Sequence, residues 1–447
     1  MIVLKRHKIN VLLSALLLSS TTQAQPQAPA QPQFPQAPKA PTAIDAIPRA
    51  TAPKPVNPLS APELEAQLEL NISQADEQDE DGRRQRDTGT AQIALTLGVK
   101  QQLGPRADLN ARLGLSSVRF SEEELNNDDD EFSYELERLH FDFEPNETLL
   151  LRVGRQGIDD PMETIVDQDL DGIRIRYRKD QLEFELSHTR KDWFEASSTE
   201  RDDNVRNILG SFTYHGTKGS HWMPYVLHRS AEQFESNPTS EKTWFGLQGI
   251  IEPINSPVRY WVHASGLMGT EQGETEDIDL GGFLVDVGIN WKLDIPLKPT
   301  LTLAATHASG GTRNKRFTQS GLQGNDFALN GYNSFRYRGE VLDPELTNIQ
   351  ILTFGIGARI AKDWEADFAL HSYNQVEVED RLRGSDIEFD PLGVDAELGF
   401  GADFVISFSP LKQLDLKGST GAFSPGDAFA EDSNLAWVTQ LEIDWHF

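Results

Sequence analysis

Leu435-Ala436-Trp437-Val438-Thr439-Gln440-Leu441-Glu442-Ile443-Asp444-Trp445-His446-Phe447 closes the chain, and its reading decides the fold. In an extended strand successive side chains point to opposite faces. Leu435, Trp437, Leu441, Ile443, Trp445 and Phe447 then share one face, while Gln440, Glu442, Asp444 and His446 share the other. A strand of a soluble sheet alternates in the same way. Two further features point to a membrane: an aromatic pair at one end of the apolar face, and an aromatic residue at the terminus. Aromatic rings gather at the membrane–water interface because their bodies are apolar and their tips tolerate water.

The same spelling recurs upstream. Ile93, Leu95, Leu97 and Val99 form one apolar face, Leu109, Ala111, Leu113 and Leu115 another, and Leu139, Phe141 and Phe143 a third. Ile173, Ile175 and Tyr177 oppose Arg174, Arg176 and Arg178, and Leu182, Phe184 and Leu186 follow. Phe283, Val285, Val287, Ile289, Trp291 and Leu293 alternate with Asp286, Gly288, Asn290 and Lys292. Leu352, Phe354, Ile356, Ala358 and Ile360 repeat the pattern, as do Leu398, Phe400, Ala402, Phe404 and Ile406. About ten residues is the length a tilted strand needs to cross the hydrocarbon layer. Connections alternate as well. Short turns near 104–105, 145–146, 179–180, 216–220, 253–257, 295–299, 361–363 and 409–412 separate long polar loops near 74–89, 121–131, 156–170, 190–206, 231–241, 268–280, 309–347, 376–393 and 424–434. Short turns on one side and long loops on the other are the pattern of outer-membrane barrels. The count predicts an all-β, transmembrane antiparallel barrel of about 18 strands. The last strand, ending on Phe447, resembles the closing strand of such barrels.

The start of the chain fits this compartment. Lys5, Arg6 and Lys8 precede the apolar run 11–18, and Thr22-Gln23-Ala24 supplies small residues for cleavage. Residues 1–24 read as a secretory signal peptide, too short in apolar length to span as a helix. Residues 25–60 are rich in Pro, Ala and Gln and read as a periplasmic linker without a core, leaving 61–447 for the barrel. Cysteine is absent, which removes disulfides, thiolate metal sites and cysteine nucleophiles. The formal charge is −29, so nucleic acid is an unfit partner. Lipid and lipopolysaccharide of the outer membrane are the expected surroundings.

Loop charge points to the lumen. Residues 121–131 carry seven acids and no base, and 156–170 and 268–280 carry five acids each and no base. Loop 309–347 departs from this trend, with Arg313, Lys315, Arg316, Arg336 and Arg338 against Asp326, Glu340, Asp343 and Glu345. Its length calls for a functional role. The expectation is that it folds into the channel and, with Arg174, Arg176 and Arg359 on the wall, forms a cationic constriction. Guanidinium groups offer carboxylates paired donors at fixed geometry. The competing reading is that each arginine only satisfies a lumen carboxylate.

Leu151-Arg152-Val153-Gly154-Arg155-Gln156 with Asp167–Arg174, Asn330-Gly331-Tyr332 with Phe335–Leu346, and Gly421-Ala422-Phe423 with Gly426–Phe429 resemble the alginate export family of outer-membrane porins. The resemblance runs from about residue 60 to the end. It implies a monomeric eighteen-stranded porin with an arginine-rich, anion-selective channel. The substrate would be an anionic polysaccharide, alginate, delivered by periplasmic synthesis and export proteins. Arg152, Arg174, Arg336, Arg338 and Arg359 sit in or beside the matching stretches, and Arg176 joins them from its position on the wall. Uptake of small acidic solutes is the alternative for the same pore.

Two other site classes fare worse. Asp167, Asp169 and Asp171 begin like a calcium loop, but Arg178 stands at the twelfth position, where a bidentate Glu is needed. A looser loop-bound Ca²⁺, at these residues or at Asp128-Asp129-Asp130, is the metal site the pattern leaves open; no other cofactor is expected. No G-x-S-x-G elbow occurs, and His140, His263, His371 and His446 fall on separate strands, so an enzyme is not expected.

Overall fold

The structure is a computed structural model that describes residues 62–78, 84–122, 127–190, 205–231, 239–273, 277–312, 314–387, 389–430 and 433–447. The expected signal peptide and linker lie outside the described residues. In chain order the strands are β1 (Glu63–Gln78), β2 (Arg84–Gly104), β3 (Ala107–Glu122), β4 (Asn127–Asn146), β5 (Leu149–Asp159), β6 (Asp167–Lys179), β7 (Leu182–Arg190), β8 (Val205–His215), β9 (His221–Ala231), β10 (Ser240–Ile251), β11 (Val258–Glu271), β12 (Ile278–Lys292), β13 (Thr300–Ala308), β14 (Asp326–Phe327), β15 (Phe335–Arg336), β16 (Ile349–Ala361), β17 (Trp364–Gln375), β18 (Glu397–Leu411), β19 (Leu414–Pro425) and β20 (Ala436–His446).

All but β14 and β15 join in one eighteen-stranded sheet, each strand antiparallel to its neighbours. The sheet closes where β20 pairs with β1, from Gln67 opposite His446 to Asp76 opposite Trp437. Closure removes the sheet edge, whose unpaired amides hydrocarbon could not satisfy. Phe447 adds a last bond, its N–H donating to the Ala66 carbonyl at 2.8 Å, and its ring stacks on Trp445.

The apolar faces read from the sequence point outward. Ile173, Phe184, Phe283, Trp291, Leu352 and Phe354 are all exposed on the barrel exterior. Leu398 is the exception, with none of its surface exposed. The pairing of β17 with β18 slips there, from Tyr373 opposite Gly399 to Asn374 opposite Glu397. The extra residue turns Leu398 inward, as a β-bulge does. The loops expected at 74–89 and 121–131 are also shorter than expected, because β1 runs to Gln78, β2 starts at Arg84, β3 runs to Glu122 and β4 starts at Asn127. Pairing continues because each added ladder bond satisfies two backbone groups.

The lumen is not uniformly wet. Loop residues Met162, Ile165, Phe317, Leu322, Leu329 and Leu342 are buried against wall residues such as Tyr225, Trp244, Trp261, Leu284 and Tyr373. Two loops, 160–166 and 309–348, therefore fold into the barrel and build an apolar core inside it. The loops supply greasy side chains that meet the few apolar residues on the inner face of the wall.

Candidate functional site

The β6–β7 hairpin turns at Asp180, whose φ of 55° is the left-handed conformation that Asp tolerates in a tight turn. This turn sets Arg178 opposite Glu183, Arg176 opposite Glu185 and Arg174 opposite Ser187. The Glu185 carboxylate receives Arg174 at 2.8 Å and Arg176 at 2.9 Å. Arg174 also donates to the Gly157 carbonyl at 3.1 Å. On the neighbouring strand Arg152, the register partner of Arg174, forks onto both oxygens of Asp142 at 2.7 and 2.9 Å. Arg152, Arg174 and Arg176 thus form one guanidinium row, held in register by the two adjacent strands β5 and β6. Arg174, Arg176, Glu183 and Glu185 line a cavity with Ser211, Thr213, His215 and Tyr225, roofed by Asp159–Pro161. Glu183 and Glu185 were not singled out from the sequence. Their signal was there: R-x-R-x-R, a Lys-Asp turn and then E-x-E spell a cross-strand charge ladder.

The remaining arginines stand elsewhere. Arg359 lies at the turn end of β16 and pairs with Glu365 at 2.5 Å. Arg338 is almost fully buried on the long loop, 3.4 Å from Asp286 of β12 and 2.6 Å from the Asn325 amide oxygen. Its guanidinium also stacks over the Tyr337 ring. Arg336 pairs with Asp386 and, at 3.6 Å, with Asp343. Arg316 of the same loop pairs with Glu379, and Arg313 lies outside the described residues. The structure brings Arg152, Arg174 and Arg176 together; it does not bring Arg359 to them, and it gives each of the six a carboxylate partner.

Loop 309–348 is fixed to the wall at many points. Trp244 donates its indole N–H to the Thr318 carbonyl at 2.7 Å, and Asn290 donates to Leu329 at 2.7 Å. Asp367 accepts from the backbone and side chain of Asn333, and Asp403 accepts the Glu340 amide. Loop 160–166 is folded around Asp160, whose carboxylate accepts the amides of Met162, Ile165 and Val166 and the Gln248 side chain. Burial raises the Asp160 pKa in spite of these bonds. Thr164 continues the chain to His263, and His263 to Tyr225. The two loops also grip each other: Gly324 and Asn325 donate to the Glu163 carbonyl, each at 3.0 Å.

Asp167, Asp169 and Asp171 do not converge on a metal. Asp169 meets Arg138 at 3.3 Å and Asp171 meets Arg155 at 3.2 Å, while Asp167 interacts with Glu163. Among the described residues no group of three or more metal-binding side chains is assembled.

A family profile described as Alginate export matches residues 64–436. The chain belongs to the alginate export family. It is 23% identical over 277 residues to the alginate production protein AlgE of Pseudomonas aeruginosa, covering 54% of this chain and 55% of that one. The AlgE of Azotobacter vinelandii is 22% identical over 211 residues, 40% of this chain and 43% of the relative. The aligned part thus spans about half the length of these curated relatives. In fold the family member is similar to OccK7 (OpdD) of Pseudomonas aeruginosa, with TM-score 0.55 and 12% identity over 87% of this chain and 99% of that one. It is also similar to OccK2 (OpdF), solved in complex with glucuronate, with TM-score 0.53 and 10% identity over 86% and 98%. The protein is a β-barrel of the Gram-negative outer membrane, a porin-type channel and not an enzyme.

Proposed function

We propose that this porin lets an anionic polysaccharide, alginate, leave the periplasm by passive passage along the arginine row. The reading is carried by the Arg174–Glu185–Arg176 arrangement. Two guanidiniums grip one carboxylate of the wall beside a cavity. A uronate residue presents the same group and can take the place of Glu185 for a moment. Such an exchange swaps one charge-assisted contact for another, so binding is weak and replaceable, as conduction requires. Family membership supports the substrate class, and the bore of eighteen strands supports passage of a chain. Delivery by periplasmic synthesis and export proteins, and action as a monomer, complete the proposal.

The test is polymer secretion by a deletion strain complemented with Arg174→Gln/Arg176→Gln/Glu185→Gln. The third change removes the carboxylate that would otherwise be buried without a partner. Secretion should fall while the folded barrel still accumulates in the outer membrane. Undiminished secretion on deletion, with impaired growth on small organic acids, would favour uptake instead.

A further inference from the structure

Arg174 and Arg176 are only 4% and 3% exposed, so the arginine row is covered in this structure. Its cover is loop 160–166, whose Asp160, Pro161, Ile165 and Val166 close the cavity beside the two guanidiniums. The long loop holds that cover in place. Asp167 donates its N–H to the Leu322 carbonyl at 2.6 Å, Gln319 donates to the Thr164 carbonyl at 3.3 Å, and Ser320 donates to the Ile165 carbonyl. At this junction a hydrogen bond joins the carboxyl groups of Glu163 and Asp167. Both groups press on the long loop, since a Cβ on Gly324 would lie 2.5 Å from Asp167 Oδ2 and 3.0 Å from Glu163 Oε2. Ionised carboxylates are acceptors only, so the bond between the two exists only while one of them carries a proton.

The surrounding charges favour that proton. Asp159 and Asp160 act on Glu163 from its own side of the junction and Asp326 from β14, while Asp169 acts on Asp167 along β6. Of the neighbouring bases, Arg138 is engaged by Asp169, and Lys417 and Arg336 act on Asp326. Burial and this ring of acids together push the Glu163 carboxyl up to about 8.

We propose that loop 160–166 is a lid over the arginine row, kept shut by one proton that Glu163 and Asp167 share against Gly324 of the long loop. Loss of the proton replaces a hydrogen bond by two like charges in contact. The lid then lifts from the long loop, Arg174 and Arg176 meet the lumen, and the bore widens. Because the closed form holds a proton that the open form releases, rising pH opens the lid. Access of a polymer to the row rests on the function proposed above; the latch itself does not.

The experiment is single-channel recording of the purified full-length protein in planar bilayers, in KCl without polymer, from pH 5 to 9. Time spent at a larger conductance level should rise severalfold toward pH 9. Glu163→Gln keeps a donor for Asp167 at every pH, so it should hold the smaller level throughout. Gly324→Ala places a methyl group between the carboxyls and should show the larger level already at pH 5. Asp380→Asn, on the outer loop after β17, should leave the wild-type profile unchanged. If either junction variant fails to show heat-modifiable migration on gels, Asp167→Asn replaces it and must flatten the profile. A pH-independent wild type, or a pH response that survives in Glu163→Gln, overturns the latch. So does closure that is lost on chelation at constant pH, which would put a divalent cation in the proton's place. Current block by added polyuronate should be stronger at pH 9 than at pH 6. Equal block with the latch intact would remove the link to the arginine row and leave the lid standing.

Discussion

Asp286→Ala should release the long loop without opening the barrel. Asp286 is fully buried on β12 and accepts from the Tyr337 hydroxyl at 2.6 Å and from Trp261 and Arg338 at 3.4 Å. Arg338 is itself 1% exposed, so solvent screens almost nothing of the pair. Removing one member of a buried ion pair leaves an uncompensated charge and costs about 3–5 kcal/mol. Every 1.4 kcal/mol is roughly tenfold in an equilibrium constant, so the undocked loop should gain about two to three and a half orders of magnitude in population. The loss is local, because the backbone hydrogen bonds of the eighteen-stranded ladder involve neither side chain. Hydrogen exchange followed by mass spectrometry should report faster exchange across 309–348, with the strands unchanged. Asp286→Leu/Arg338→Met removes both charges and should recover most of the protection. Wild-type exchange in Asp286→Ala, or no recovery in the double variant, would refute the reasoning.

Two further outcomes follow from the loops and the wall. Burial first, and then Asp167, Asp326, Asp160 and Asp159, push the Glu163 carboxyl up to about 8. The folded loop junction therefore holds a proton that the unfolded chain has lost, and its stability falls as pH rises from the ordinary carboxylate range through about 8, then levels off. Limited proteolysis between pH 5 and 9 should cut the loops faster at the alkaline end, and Glu163→Gln should flatten that dependence. Gly154 has φ +126°, and a Cβ there would lie 2.1 Å from the Leu139 carbonyl oxygen. Gly154→Val should displace β5 from β4, with strain of at least about 1–3 kcal/mol. Impaired assembly on heat-modifiability gels is expected; normal assembly would contradict the strain.

Much of this protein is legible one residue at a time. Lipid meets every second side chain of a strand, so the exterior is spelled in the local alternation of stretches such as Phe283–Leu293 or Leu435–Phe447. The sorting of short turns and long loops fixed the strand number for the same local reason. Leu398 shows where that reading fails, because a bulge is set by the partner strand as well as by the sequence that carries it. Arg174 and Arg176 stand out because they alternate with apolar residues, Arg152 entered only through the family resemblance, and the partners Glu183 and Glu185 could have been read from the hairpin register. What the sequence could not give is where on the wall the loops dock. Docking of Phe317–Leu346 depends on apolar and polar groups from strands far apart in the chain, such as Trp244, Asp286, Asp367 and Asp403. Only closure of the barrel brings those groups to face one loop.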